Sequence, residues 1–587
     1  MKLSDYVVKF LEKQGIRHVF LVSGGAVVHL VDSVARNLKM KVICSQHEES
    51  AGASADGYSR ISRNLGCAMT TSGPGATNLT TSIANAYYDS IPCIFITGQV
   101  ATFRLKKNKA LRQKGFQETD IISLFKPITK YAVQIKDARN IRYELEKAVY
   151  LAKDGRGGPV VIDIPDDVQR VNIDPSTLCS FKPKIQKKKI IIAEKVIKIF
   201  SLIRACHRPV VIFGAGVKNA GVEEEALFFT HYFNLPIVVT WGGAELVPYD
   251  DSLNMNCLGA CGPRWGNFAV QNADLIIAIG TRLSQLITGG KQNLFAPYAK
   301  KVMIDIDPEE LAKFTPDIFT LDIGLSCAYP DFFTACKKLY QRKEKDLFKS
   351  WRKRIRSWRE KYPICPKNYY DKTPEVNPYV FMKELSRQAK EGDIITVDTG
   401  ATLAWTMQSW EVKRSQRIIS AWNHTPMGYS LPAAIGATLT SGKDIICITG
   451  DGGLMMCLEE LATVVRYKLP IKIFVSSNHC HGIQKQTLDT WLESRYTAVD
   501  EVSGLFFPDF VKLGKVFGLA TVNIEKHREI KRGIREALER SGPVLCNVEI
   551  YPDQKIIPML KFGDGLEDLN PKIPKEELAE IMSISKI

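Results

Sequence analysis

Short apolar runs alternate with longer amphipathic segments along the whole chain. Among the runs are His18-Val19-Phe20-Leu21-Val22, Pro159-Val160-Val161-Ile162-Asp163-Ile164-Pro165 and Pro209-Val210-Val211-Ile212-Phe213. Asp274-Leu275-Ile276-Ile277-Ala278-Ile279, Lys301-Val302-Met303-Ile304-Asp305-Ile306-Asp307, Asp444-Ile445-Ile446-Cys447-Ile448-Thr449 and Ile471-Lys472-Ile473-Phe474-Val475 continue the series. Their shortness and bounding Gly, Pro and polar residues predict strands buried on both faces of a parallel sheet. Segments between them, beginning with Leu3 to Gln14, show helical spacing and predict crossover helices. The alternation falls into three blocks, so the expected fold is α/β, with three parallel-sheet domains at 1–180, 190–342 and 370–550 and a Pro- and acid-rich tail, 551–587. Polar sequence at 174–189, then a charged helix from Lys343 to Lys361 and a Pro-containing stretch at 362–378, separate the blocks. Lys187-Lys188-Lys189 and Arg342-Lys343-Glu344-Lys345 read as solvated linkers.

Composition narrows the class. With 45% hydrophobic and 24% charged residues over 587 positions, the chain reads as an ordinary globular protein. No apolar run approaches a membrane span, and Met1-Lys2-Leu3-Ser4-Asp5-Tyr6 lacks the apolar core of a secretion signal, so a cytoplasmic protein with no membrane partner is expected. The 14 cysteines, Cys44, Cys93 and Cys447 among them, form no CxxC pair or zinc spacing and read as buried, reduced thiols. Lys and Arg exceed Asp and Glu by 79 − 63 = 16, yet they are dispersed. That favours anionic small ligands over nucleic acid.

The strongest chemical signal is Gly450-Asp451-Gly452, directly after a predicted strand, with Asn478 closing the next one. Glycines at a strand end let the chain turn into a helix whose free N–H groups face an anion. Asp451 and the Asn478 amide would then lie together at the carboxyl edge of one sheet. Two protein oxygens, a backbone carbonyl and phosphate oxygens suit Mg²⁺. The pattern therefore reads as a divalent cation holding a diphosphate.

Further motifs stand in a telling order: His47-Glu48, Thr71-Ser72-Gly73-Pro74-Gly75-Ala76-Thr77-Asn78, Gly115-Phe116-Gln117-Glu118 and Met427-Gly428-Tyr429-Ser430-Leu431-Pro432-Ala433-Ala434-Ile435-Gly436. With these, nearly the whole chain resembles the thiamine-diphosphate (ThDP) enzymes of the acetolactate synthase and pyruvate oxidase group, in the order pyrimidine domain, central domain, diphosphate domain. The resemblance implies that C2 of the cofactor adds to a 2-oxo acid and takes up the electrons released as CO₂ departs. Glu48 matches the carboxylate that hydrogen-bonds the pyrimidine ring and shares its proton near neutrality, and Thr71 lies on the same side. Met427, preceded by Thr425, matches the apolar prop beneath the cofactor, a case of proximity built from packing. Gly400, Ala401 and Thr402, the loop from Gly450 through Asp451, Gly452 and Gly453, and His481, Gly482 and Ile483 match diphosphate contacts. Asp451, Asn478 and the Cys480 carbonyl match the metal ligands. Because such enzymes bind the pyrimidine with one subunit and the diphosphate with another, a homodimer or homotetramer with shared active sites is implied.

Gly25 and Gln117 match positions bordering the reacting carbon, and Ala26 adjoins them; Asn85 and Asp89 read as packing and capping residues instead. Several departures set the chain apart. Ser477 precedes Asn478, Glu49 follows Glu48, Asn423-His424-Thr425-Pro426 approaches Met427, and Ile483-Gln484-Lys485-Gln486-Thr487 is polar. These suggest a larger hydroxylated or anionic reactant, with His424, His479, His481 and Lys485 as candidates to bind it. Gln484-Lys485-Gln486-Thr487 and Ser503-Gly504-Leu505-Phe506-Phe507-Pro508-Asp509-Phe510 resemble acetolactate synthase-like proteins of polysaccharide and branched-sugar synthesis, where a keto-sugar nucleotide is the acceptor. The central domain resembles an FAD-holding domain at Gly214-Ala215-Gly216, Gly259-Ala260-Cys261-Gly262, Gly280-Thr281-Arg282 and Asp305-Ile306-Asp307, while Leu283-Ser284-Gln285 departs from it. The leading expectation is a decarboxylase-carboligase. A simple decarboxylase, a flavin-dependent oxidase and a non-catalytic ThDP-binding protein are the alternatives.

Overall fold

A computed structural model describes residues 1–108, 110–183, 192–341, 344–370 and 374–583. The linker positions 187–189 and 342–343 lie outside the described residues. The apolar runs become three six-stranded sheets, each with helices on both faces. Sheet one holds β1 (His18–Leu21), β2 (Lys41–Cys44), β3 (Gly66–Thr70), β4 (Cys93–Gln99), β5 (Tyr131–Gln134) and β6 (Val160–Pro165), in the order β2-β1-β3-β4-β6-β5. Sheet two holds β7 (Pro209–Phe213), β8 (Ile237–Val239), β9 (Asn254–Cys257), β10 (Leu275–Ile279), β11 (Lys300–Asp305) and β12 (Ile323–Ser326), in the order β12-β11-β10-β7-β8-β9. Sheet three holds β13 (Ile394–Val397), β14 (Arg417–Ile419), β15 (Ile445–Gly450), β16 (Ile471–Ser477), β17 (Ala520–Ile524) and β18 (Val544–Glu549), in the order β14-β13-β15-β16-β18-β17. Neighbouring strands are parallel throughout.

Strand order locates the crevices. In each sheet the chain first builds to one side of its opening strand and then crosses to the other, leaving a gap beyond the carboxyl ends at that switch, where ligands of open α/β sheets bind. The switches fall between β1 and β3, between β7 and β10, and between β13 and β15. Gly25 and Thr71 follow the first pair, Gly214 and Gly280 the second, Gly400 and Asp451 the third.

The first and third sheets share one core. Phe20, Phe95 and Ala433 pack in a cluster with Ile445 and Ile473. Its seam is the crossing of the Glu48–Ser62 and Ser430–Ser441 helices. Small residues permit that approach, since a methyl on Gly57 would lie 2.3 Å from the Ala433 carbonyl oxygen and one on Gly436 1.9 Å from that of Ser54. Beside the seam, buried Arg60 donates to Asp56 and to Asp89 (2.7 Å), and Asp89 also accepts from Trp422 N (2.9 Å). Asp89 thus joins domains rather than capping its own helix.

Two expectations need correction. Cys44 is exposed, because β2 is an edge strand, and Cys179 is exposed too; ten other thiols are buried. The charged helix runs over Lys349–Lys361, not from Lys343, since its apolar stripe of Trp351, Ile355 and Trp358 begins only there. The tail is a strap: Leu560, Leu566 and Leu569 are buried against the central domain, and Arg264 donates to the carbonyls of Leu569 and Pro571.

Candidate active site

At the β13/β15 switch three helices begin at one edge: Ala401–Ser409, Asp451–Met455 and Gly482–Trp491. Their starts nearly touch. A methyl on Gly400 would lie 3.9 Å from Ile483 Cγ2, one on Gly450 3.3 Å from Thr402 Oγ1, and one on Gly482 3.6 Å from Ala401 Cβ. Unsatisfied N–H groups converging from three helix starts make a cradle for an anion.

Asp451 sits in its floor, 2% exposed. Its Oδ1 accepts from Gly452 N (2.7 Å), and its Oδ2 from Asn478 N (3.0 Å) and His479 N (2.7 Å). Burial pushes the carboxyl up to about 6, against the pull of those three amides. Among the described residues it forms no ion pair. Asn478 Nδ2 donates to Cys480 Sγ (3.2 Å), which leaves its carbonyl oxygen as the remaining donor atom of the amide. No three His, Cys, Asp or Glu side chains converge as a metal cluster among the described residues. One buried carboxylate, one amide oxygen and a backbone carbonyl are instead the hard-oxygen donors suited to Mg²⁺.

Met427, His481 and Gly452 form one stack: a methyl on Gly452 would lie 2.7 Å from the His481 ring and 3.0 Å from Met427 Cε. Burial lowers the His481 imidazole, so it is neutral near physiological pH. Asp398, which the sequence reading passed over, fixes this stack from below. Fully buried, it accepts from Gly428 N (3.2 and 3.1 Å), Ser430 Oγ (3.1 Å) and Thr449 Oγ1 (3.2 Å). An acid closing an otherwise apolar strand was its signal.

The β1/β3 switch carries a second group. Thr71 Oγ1 accepts from Ala26 N (3.3 Å), Glu48 Oε2 accepts from Asn78 Nδ2 (2.9 Å), and a methyl on Gly75 would lie 3.4 Å from Glu48 Oε1. Gln117, at φ 61°, packs over Gly73. A methyl on Gly25 would meet nothing within 4 Å, so the fold does not require glycine there. Among the described residues, no hydrogen bond or ion pair joins the Glu48 group to the Asp451 group.

The four candidate substrate contacts scatter. His424 is exposed and stacks on Tyr88 at 5.5 Å. His479 turns to Glu549 (3.1 Å), whose carboxylate raises the imidazole above its ordinary range. Lys485 pairs with Asp553 (3.0 Å) and lies over the Tyr496 ring. His481 alone faces Met427. Thr425 is exposed at φ 52°. Ser477 Oγ donates to Asn547 Oδ1 (2.8 Å) inside the sheet.

The β7/β10 switch opens into a cavity of about 380 Å³, lined by Gly216, Thr281, Arg282, Asp305 and Trp422 among others. Lys218 Nζ and Trp422 Nε1 in its wall lack hydrogen-bond acceptors, Lys218 having a 3.4 Å ion pair with Glu245.

The first and last sheets thus each bring a carboxylate to a switch point, Glu48 at one and buried Asp451 beneath converging helix starts at the other, the arrangement of an α/β enzyme with ligand sites at its sheet edges. The comparisons name the class. Residues 1–124 match the thiamine pyrophosphate enzyme N-terminal TPP binding domain, 196–322 the central domain and 398–548 the C-terminal TPP binding domain. The chain belongs to the thiamine pyrophosphate enzyme family, in the acetolactate synthase group. It is 34% identical to a probable acetolactate synthase large subunit of Methanocaldococcus jannaschii, over all of this chain and 98% of that one. It is 31% identical to acetolactate synthase 1, chloroplastic, of Zea mays, over 97% of this chain and 88% of the relative. The mitochondrial acetolactate synthase catalytic subunit of Saccharomyces cerevisiae is 28% identical, with 97% and 84% covered.

Proposed function

We propose that this enzyme is a ThDP- and Mg²⁺-dependent decarboxylase-carboligase that passes the acyl-anion equivalent of a 2-oxo acid to an acceptor. The observation that carries the reading is the buried, cation-free Asp451 beneath three converging helix starts. When bound, the cofactor supplies a carbon nucleophile that adds to the 2-oxo acid and accepts the electron pair left by CO₂. Asp451, the Asn478 amide oxygen and the Cys480 carbonyl would hold Mg²⁺, and the N–H groups at Ala401 and Gly482 would receive the diphosphate. Glu48 Oε1, free of the Asn78 bond that occupies Oε2, is the proton-holding atom of the pyrimidine half-site. Met427 and His481 set the height of the reacting centre and exclude water from it.

A complete site would take Glu48 from one copy and Asp451 from another, giving a homodimer or a dimer of dimers. Phe116, 84% exposed beside Gln117, fits a face that a second copy covers. That the relatives are acetolactate synthases favours carboligation over simple decarboxylation. Open space at Gly25 and the exposed Gln484 leave room for a bulky hydroxylated acceptor such as a keto-sugar nucleotide. The central cavity, with the Trp422 indole N–H unmet in its wall among the described residues, suits FAD, which the carboligation does not need for redox.

The test is CO₂ release from a panel of 2-oxo acids with ThDP and Mg²⁺, with and without a keto-sugar nucleotide, with products identified by mass. Acceptor-dependent release is expected, and free aldehyde alone would make the enzyme a decarboxylase. Glu48→Gln should abolish turnover while largely sparing ThDP binding; full residual activity would sink the assignment.

A further inference from the structure

The three-residue connection from β2 to the Glu48–Ser62 helix is gripped by a helix of the other ThDP domain. Glu460, Thr463 and Tyr467 lie at i, i+3 and i+7 along and just beyond the Glu460–Arg466 helix, hence on one face. Each takes hold of backbone. Glu460 Oε1 accepts from Gln46 N (2.7 Å) and His47 N (3.2 Å), Thr463 Oγ1 donates to the Cys44 carbonyl (3.4 Å), and Tyr467 OH accepts from Cys44 N (2.9 Å). His47 in turn caps the helix, its Nδ1 accepting from Glu49 N (3.1 Å), and Glu48 is the helix's first residue.

Glu460 is 0% exposed and forms no ion pair among the described residues. Burial raises its carboxyl above the ordinary range, and Thr463 and the two amides oppose that rise. A leucine would fill such a site at lower cost if packing were its purpose. The carboxylate is spent instead on two N–H groups directly before Glu48, and among the described residues no other side chain accepts from them.

We propose that Glu460 is a positioning residue: through the Gln46 and His47 amides it fixes where the Glu48 helix begins, and so where the Glu48 carboxylate stands when it handles the cofactor's proton. Since Glu460 follows Asp451 by one short helix, each chain ties its own diphosphate half-site to the pyrimidine half-site it lends to its partner. The inference rests on the role given to Glu48 above.

The readout is the rate at which bound ThDP exchanges its C2 proton for deuterium, measured by NMR after acid quench on the holoenzyme, with ThDP affinity and melting temperature alongside. Glu460→Asp withdraws the acceptor by one methylene. It should slow exchange roughly tenfold or more, with ThDP affinity held within about threefold. Glu460→Gln keeps an acceptor oxygen at full length and should restore exchange to within about threefold of wild type. If Glu460→Asp does not fold, Tyr467→Phe removes the Cys44 acceptor at a half-exposed position and should slow exchange severalfold with the melting temperature unmoved. Wild-type exchange in the variant that folds, alongside a slow Glu48→Gln enzyme, overturns the positioning role alone. Equal loss in Glu460→Asp and Glu460→Gln overturns it as well. Wild-type exchange in Glu48→Gln removes the reading beneath it.

Discussion

Gly452→Ala tests whether the metal-loop glycine is there for the cofactor's prop. Its backbone lies outside the left-handed region, so alanine is sterically permitted, and in the first turn of a helix it gains up to about 1 kcal/mol of propensity. The added methyl would stand 2.7 Å from His481 Cδ2 and Nε2 and 3.0 Å from Met427 Cε. Ordinary carbon contacts are about 3.5–4.0 Å, so each neighbour must retreat by roughly 0.5–1 Å. Overpacking of this kind costs about 1–3 kcal/mol, and the propensity gain offsets part of it. Stability should therefore fall by no more than about 2 kcal/mol. Activity should suffer more, because about 1 Å of displacement at a reacting centre can cost a hundredfold. The assay is kcat and ThDP affinity on the preferred 2-oxo acid, with melting temperature. Gly324→Ala, whose methyl would meet nothing closer than 3.7 Å, is the control. A Gly452→Ala enzyme with kcat within threefold of wild type would refute the claim that the Met427–His481 stack sets the reaction geometry.

Two other outcomes are expected. Gly25→Val enters open space, so the melting temperature should hold while kcat/KM falls most for the bulkiest acceptor; a uniform loss across acceptors would argue that Gly25 does not border the acceptor. Buried Asp163 accepts from Thr97 Oγ1, Gln99 Nε2 and Gln134 Nε2, yet burial still pushes its carboxyl up to about 6 from 3.8. The folded state then holds a proton that the unfolded chain has lost, so stability present below pH 3.8 is lost as pH rises through about 6, by about 3 kcal/mol. Asp163→Asn lacks that step, and the gap between its melting curve and wild type's should change across this window; parallel curves would refute the shift.

What could be read from the sequence was whatever the strand ends carry. Asp451 and Asn478 close adjacent parallel strands, so their meeting follows from the runs themselves. Asp398 closes a strand equally well, but its task is to accept from two other segments, and the partners at Gly428 and Ser430 are invisible until the turn at Gly428 is built. Glu460 is harder still, since it occupies an ordinary position in an amphipathic helix and its partners lie 414 and 413 residues away. Lys485 shows the converse: its composition suggested a substrate contact, whereas docking of the 551–556 segment decides which face of its helix points inward. Gln486 Oε1 accepts from Ile556 N (2.8 Å) and turns that face to the tail.

The placement of buried charge argues for the site independently of any motif. Asp56 and Asp89 share Arg60, and Glu245 holds Arg417, so at those points burial is offset by a cation. Asp163, Glu460, Asp398 and Asp451 have no ion pair among the described residues and all are raised by burial, and of these Asp398 and Asp451 stand where the helix starts converge. They lie close together, because a methyl on Gly453 would stand 2.9 Å from Asp398 Oδ2 within the helix that Asp451 begins. Two uncompensated carboxylates at one sheet edge cost the empty fold stability. A divalent cation bound at Asp451 removes much of that cost, and the helix starts above it then meet an anion rather than a bare metal. The negative floor and the positive rim would therefore suit the proposed cation and diphosphate stacked in that order.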